Sequence, residues 1–184
     1  MEVNGLTYID NFISSEKEDE IVRYLDTKIW STKLKRRTQH YGYEYNYSNK
    51  SAKTLAPPLE GPIKEVADVL NGVGIITPEQ CIVNEYTRNQ GIGAHTDSNT
   101  FGPIIVSISL LTPTNMIFTR SGYEDICLTL MPRSLLLLSG DARNLWKHQI
   151  DETIKLKLMI NTGRVEYVKS EDYRRISLTY RTMK

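Results

Sequence analysis

After residue 79 this chain changes texture, and that change most limits what it can fold into. Short runs of large apolar and β-branched residues follow one another at 81–86, 104–111, 116–119, 126–130, 134–138, 156–160 and 176–180. Gly, Pro, Asn and Asp separate them. Runs so short and so regularly interrupted pair into sheets. Upstream, Ser15-Glu16-Lys17-Glu18 reads as a capping box, and Ile21, Val22 and Leu25 follow at helical spacing. An amphipathic helix is therefore expected over about 15–27. Pro62 and Gly72 bracket a second helix over about 62–71. The opening 3–13 reads as strand and turn. In 42–48, Tyr43, Tyr45 and Tyr47 alternate, which puts three rings on one face of a strand. The polar, then Pro-rich 49–58 reads as a loop. Two early helices packed on many short strands predict a mainly β fold with flanking helices, a double-stranded jelly roll.

At 184 residues the chain is expected to form a single domain, 1–184, with room for a sizeable core. Its 23 basic and 22 acidic residues balance, so any electrostatic footprint is local. The apolar stretches, such as 135–138, are of strand length, and no membrane-spanning segment is expected. The start, Met1-Glu2-Val3-Asn4-Gly5, lacks the basic residues and apolar run of a signal peptide. Cys81 and Cys127 make neither a disulfide framework nor a zinc pattern. These features predict an intracellular protein, cytoplasmic or nuclear, acting as a monomer away from membranes.

Only three histidines occur, and two of them stand in His95-Thr96-Asp97 and, far downstream, at His148. On an extended strand residues 95 and 97 point the same way, so both side chains can grip one ion. Gly91-Ile92-Gly93 permits a bend just before them, and an antiparallel return can bring His148 opposite. Two imidazoles and a carboxylate make the facial triad of non-haem Fe(II), with open positions for chemistry. The same ligands suit zinc in a hydrolase, and the residues alone leave both metals open. In 175–181, Arg175, Ser177, Thr179 and Arg181 share one strand face and Ile176, Leu178 and Tyr180 the other. Inward guanidiniums need anions, and a dicarboxylate would pair with both; an edge strand with solvated arginines is the alternative. Asn84 and Tyr86 likewise share a face, offering an amide and a hydroxyl.

These strings, in this order, resemble the AlkB family of Fe(II)- and 2-oxoglutarate-dependent dioxygenases. The resemblance runs from about residue 36 to 181. It is carried by Asn84-Glu85-Tyr86, by Gly91 to Asp97, by Ile105-Val106-Ser107-Ile108-Ser109-Leu110, by Met116-Ile117-Phe118, by Gly140 to Ile150 and by Arg175 to Arg181. It implies Fe(II), 2-oxoglutarate and O2 as cofactors, with His95, Asp97 and His148 as iron ligands. Arg175 matches the arginine that pairs with the distal carboxylate of 2-oxoglutarate, and Arg181 the one near its other carboxylate. Asn84 and Tyr86 match residues that hydrogen-bond the cosubstrate. Ser177 stands where the bacterial prototype has Asn, with a hydroxyl still able to donate.

Arg143, five residues before His148, resembles the branch that hydroxylates a modified wobble uridine in tRNA, as does Arg36 to Tyr45. That branch carries an RNA-recognition module and, in animals, a methyltransferase, which 184 residues do not hold. The residues add their own argument. Lys33, Lys35, Arg36, Arg37 and His40 form a basic cluster, followed by Tyr41, Tyr43, Tyr45 and Tyr47. Basic charge tracks phosphate, and aromatic faces stack on an extruded base. A nucleobase lid is therefore expected at about 33–60 and a catalytic core at about 80–184. Arg36, Arg37, Tyr41, Tyr43 and Tyr45 are the expected substrate contacts. Asn99 matches a prototype position that touches the base. The expected reaction is oxidation of an alkyl group on an RNA or DNA base, by hydroxylation or demethylation. Oxidation of a protein side chain, a zinc hydrolase and a silent nucleic-acid-binding module are the alternatives.

Overall fold

A computed structural model describes residues 2–184. Its first half holds β1 (Leu6–Ile9), α1 (Ser15–Asp26), β2 (Arg37–Tyr41), β3 (Tyr43–Asn46), β4 (Ser51–Leu55), α2 (Gly61–Gly72), β5 (Gln80–Thr87) and β6 (Ile92–His95). Then come β7 (Phe101–Leu110), β8 (Thr114–Thr119), β9 (Ile126–Leu130), β10 (Leu135–Leu138), α3 (Gly140–Asn144), β11 (Lys147–Ile150), β12 (Lys155–Ile160), β13 (Gly163–Val168) and β14 (Arg174–Met183). Six strands form a major sheet in the order β1-β10-β7-β14-β5-β2, and four form a minor sheet, β6-β11-β8-β9. The hairpins β3–β4 and β12–β13 stand as separate two-stranded sheets. This is the expected jelly roll.

Strand alternation gives the major sheet two apolar faces. Val83, Val106, Ile108, Ile176, Leu178 and Tyr180 face α1 and α2, which bring Ile21, Leu25, Ile63, Val66 and Leu70. Tyr86, Ile105, Leu136 and Leu138 face the minor sheet, meeting Met116, Phe118, Trp146 and Ile150. The metal-type residues lie in this second layer, between the sheets.

Three local expectations are corrected. The cap of α1 is Ser14, whose Oγ accepts from the Lys17 amide at 3.1 Å. Glu18 is therefore no capping-box partner. It is buried and accepts from the Leu111 amide at 2.9 Å and from Arg133 at 3.1 Å, bridging two separate bends, after β7 and before β10, at each of which the residue adopts positive φ. The expected loop at 49–58 contains β4, paired with β3 through Tyr43↔Leu55 and Glu44↔Thr54. Finally, the strand expected over 42–48 is shorter: β3 ends at Asn46, with a register shift against β4 between Glu44 and Asn46, and Tyr47 lies beyond it. Gly42 has φ +79°, and a Cβ there would sit 2.0 Å from the Glu79 carbonyl oxygen, so only glycine fits. The chain turns at Gly42, and Tyr41 faces differently from Tyr43 and Tyr45. Cys81 and Cys127 are both free thiols.

Candidate active site

The His-x-Asp segment lies on β6 and just beyond it, and β11 runs antiparallel beside it with His148 opposite His95. That pairing puts one ligand atom from each of His95, Asp97 and His148 within 4.8 Å of the others. Asp97 Oδ1 is 3.4 Å from His148 Nε2 and 4.0 Å from His95 Nε2. His95 Nδ1 lies 2.7 Å from the Gly93 carbonyl. That bond fixes the tautomer and leaves Nε2 with its lone pair free for an ion. Burial, then the neighbouring His148, holds the His95 imidazole below its usual pKa, so it is neutral at neutral pH as a ligand must be. Burial alone would raise the Asp97 pKa. Arg181 overrides it, with Nε at 2.8 Å and Nη2 at 2.7 Å from Oδ2, and holds the carboxyl far below the usual range. Two imidazoles and a fixed carboxylate fit a divalent ion.

Beside the triad a cavity of about 520 Å³, counting its mouth, opens between the sheets. Asn84, Tyr86, Arg175, Ser177 and Arg181 line it together with all three triad residues. The even spacing on β14 that puts Ile176, Leu178 and Tyr180 into the core turns Arg175, Ser177, Thr179 and Arg181 this way. Arg175 is 1% exposed, lies over the Tyr86 ring at 5.3 Å, and donates from Nη2 to Ser109 Oγ at 2.9 Å. Its Nε and Nη1 are buried without a protein partner. A buried guanidinium with free donors on a cavity wall calls for an anion. A carboxylate of 2-oxoglutarate would fit that demand.

The substrate-side expectations divide. Arg36 does face the site, donating from Nε to Asn84 Oδ1 at 3.0 Å. A second cleft of about 890 Å³ is lined by Arg36, Tyr45, Tyr47, Lys50, Phe101, His95 and Asp97, among others, and so opens directly on the triad. Tyr45 and Tyr47 pack edge to face with centroids 4.9 Å apart. Arg37 points to the opposite face of the major sheet. It pairs with Glu85 at 2.8 Å through both Nε and Nη2, because β2 is registered with Arg37 against Glu85. Tyr41 shares that face, is 4% exposed in the helix-side core and bonds to Gln39. Neither can touch a ligand in the cleft. Tyr43 is half-buried against the inter-sheet core and lines neither cavity. Asn99 lies exposed in a turn; Ser98 lines the cleft in its place. Sequence reasoning did not find Ser109, Tyr47 or Lys50 as site residues. Tyr47 belongs to the basic-aromatic series but not to the substrate contacts expected from it, and Lys50 stands in a segment without apolar periodicity.

A jelly roll with a two-histidine, one-carboxylate centre beside a dicarboxylate pocket has the makings of an iron- and 2-oxoglutarate-dependent oxygenase. Residues 5–181 match the 2OG-Fe(II) oxygenase superfamily, and the chain belongs to it. Its relatives within that superfamily are AlkB proteins. The alkylated DNA repair protein ALKBH8 homolog of Arabidopsis thaliana is 32% identical over 179 residues, 82% of this chain and 51% of that protein. The Xenopus tropicalis tRNA (carboxymethyluridine(34)-5-O)-methyltransferase alkbh8 is 31% identical over 157 residues, 79% of this chain and 25% of its own. A DNA N6-methyl adenine demethylase of Caenorhabditis elegans is 31% identical over 164 residues, 82% and 55%. This chain thus spans about half the length of two of these relatives and a quarter of the third. The structure of OsALKBH1 superposes with a TM-score of 0.70 over 99% of this chain and 98% of that one, at 16% identity. Among the described residues, no helix is long and apolar enough to cross a membrane.

Proposed function

We propose that this protein uses Fe(II), 2-oxoglutarate and O2 to oxidise an alkyl group on a nucleobase, with RNA as the substrate class. The observation that carries the reading is the cleft. It joins Arg36, Lys50 and the Tyr45–Tyr47 pair to His95 and Asp97 of the triad. A base extruded from its strand can stack on the tyrosines while cationic side chains follow its phosphates.

Fe(II) and 2-oxoglutarate supply the oxidising chemistry when bound, by the overall reaction R–H + O2 + 2-oxoglutarate → R–OH + succinate + CO2. The chain's residues place the reactants. His95, Asp97 and His148 hold the ion, and Arg175 anchors the distal carboxylate. Asn84, Tyr86 and Ser177 would hydrogen-bond the cosubstrate, and Arg181, which holds Asp97 ionised, would serve its other carboxylate. Ile92, Met116, Leu136, Leu138 and Ile150 wall the pocket and exclude water. On an N-linked methyl group the alcohol breaks down to formaldehyde; on a C-linked group it persists. The protein acts inside the cell, as a monomer on a nucleic acid partner.

The wobble-uridine branch is favoured by the Arg143 spacing, and the Xenopus relative is named for a uridine at tRNA position 34. The Caenorhabditis relative, named for DNA N6-methyladenine, supplies the competing substrate. Iron-loaded protein is incubated with 2-oxoglutarate and a panel: tRNA with side-chain-modified wobble uridine, N-methylated RNA and N6-methyladenine DNA. Mass spectrometry reads succinate and the base product. Hydroxylated uridine is expected. No succinate above background with any substrate sinks the oxygenase reading, and turnover on methylated DNA alone sinks the RNA assignment.

A further inference from the structure

The loop that carries Asp97 closes around a side chain that lines neither the cosubstrate cavity nor the cleft. Arg143 in α3 is 3% exposed, and its guanidinium donates to four backbone carbonyls. Nη1 reaches the Asp97 carbonyl at 2.9 Å, and Nη2 reaches Ser98 at 2.9 Å and Phe101 at 3.4 Å. Nε reaches Gly102 at 3.3 Å. The charges acting on it are Asp97, in its favour, and Arg181, against. A buried charge without a salt-bridge partner persists only where dipoles replace its water, and here the carbonyls of 97–102 do so.

The chemistry of guanidinium matters to this arrangement. Its donors form a rigid planar fork, so four carbonyls bound at once are fixed relative to one another. An ammonium is a point and cannot span them. Placement matters equally. α3 runs through buried Trp146 straight into β11, so Arg143 stands just before His148 in the chain and grips the segment just after Asp97. One side chain thus ties together the two segments whose ligand atoms must converge on an ion. From the other side, Ser98 Oγ and Thr100 Oγ1 bond the Lys50 carbonyl of the β3–β4 turn at 2.7 and 3.3 Å.

We propose that Arg143 is a positioning residue for the metal centre, holding the 97–102 loop in ligand-ready shape before an ion arrives. The proposal rests on reading His95, Asp97 and His148 as metal ligands. Its test is metal affinity, measured on metal-free protein by Co(II) absorption titration, with thermal unfolding recorded beside it. Wild type should bind one ion. Arg143→Gln should weaken binding about 10- to 100-fold, the scale of lost support around metal ligands, and alter the Co(II) visible bands. Arg143→Lys keeps the charge but not the fork and should fall nearly as far. Folded variants with wild-type affinity overturn the proposal, and so does full rescue by lysine. Should neither variant fold, hydrogen exchange on wild type decides. The Phe101 amide, bonded to Ser98 O at 3.2 Å, should already be protected without metal; protection that arises only on adding Mn(II) refutes a preformed loop. A wild type that binds no ion would instead remove the metal reading itself.

Discussion

Replacing Arg175 by methionine should separate binding from stability. The substitution removes a fully buried cation whose Nε and Nη1 have no protein partner. Each buried polar group left unpaired costs roughly 1–3 kcal/mol, which cavity water partly offsets. Against this, the variant loses the Nη2 bond to Ser109 and the contact with the Tyr86 ring, together worth about 2–3 kcal/mol. Methionine adapts to the vacated space. The ligand-free variant should therefore match wild type or exceed it by up to about 3 kcal/mol, a Tm gain of roughly 0–10 °C for a chain of this size. Cosubstrate binding should suffer in the opposite sense. Truncating one partner of a buried charge pair costs about 2–5 kcal/mol, so 2-oxoglutarate affinity should fall about 30-fold or more. Scanning fluorimetry with and without 2-oxoglutarate shows both effects. Wild type at about 100 times Kd gains roughly 2.7 kcal/mol from the ligand; at the same ligand concentration the variant should gain about 0.9 kcal/mol or less. A variant that unfolds well below wild type yet still shifts with 2-oxoglutarate would refute the reasoning and make Arg175 a structural residue.

Tyr47→Ala should raise the oligonucleotide KM about 5- to 150-fold, the range of one lost base stack, with 2-oxoglutarate KM unchanged; a shift in the latter alone would remove Tyr47 from substrate binding. Glu85→Gln should cost about 2–4 kcal/mol, less than a fully buried pair because its arginine partners are partly exposed; urea midpoints test this. The same carboxyl sets acid stability. Burial pushes the Glu85 pKa up, but hydrogen bonds from Arg37 and Arg174 outweigh it, and Arg174 likewise lowers Asp26. Carboxyls depressed in the folded state stabilise it fully above their unfolded values, near 4, and lose that effect as pH falls through the folded pKa. Wild-type Tm should therefore drop below about pH 4, and Glu85→Gln should flatten that limb; an unchanged slope in the variant contradicts the assignment. Gly91→Ala would place a Cβ 2.1 Å from the Ile150 carbonyl oxygen. It should destabilise the protein by about 1–3 kcal/mol or more and weaken Co(II) binding, because β6 and β11 carry the two histidines; wild-type metal affinity would speak against it.

The strands that were legible in the sequence are those whose two faces differ chemically. On β14 the alternation of Arg, Ser, Thr and Arg with Ile, Leu and Tyr names both the core face and the cavity face without any partner strand. The four-residue β6 and β11 carry no such pattern, and only their pairing, His148 against His95, makes the ligand cluster. β4 was invisible because Ser51-Ala52-Lys53-Thr54-Leu55 is mostly exposed and no core enforces a period. Parity explains the misplaced substrate contacts. Arg37 and Tyr41 take their side of the sheet from the register of β2 on β5, and the turn at Gly42 separates them from β3. Helix α1 begins at Ser15 as the spacing predicts, but its cap is Ser14, because the two serines are equally good caps and burial of Glu18 decides between them.

The separateness of the β3–β4 hairpin has an evolutionary consequence. β14 is flanked by β5 and β7 on both edges, so one inserted or deleted residue there would exchange its core and cavity faces wholesale. Its length is frozen. The hairpin belongs to no large sheet, yet brings Tyr45 and Lys50 to the cleft. It can be lengthened, shortened or exchanged while the strand that binds the cosubstrate stays untouched. Under the proposed function the residues facing a target thus sit on a separable hairpin, and grafting the corresponding hairpin from a relative should change the target while leaving 2-oxoglutarate binding intact.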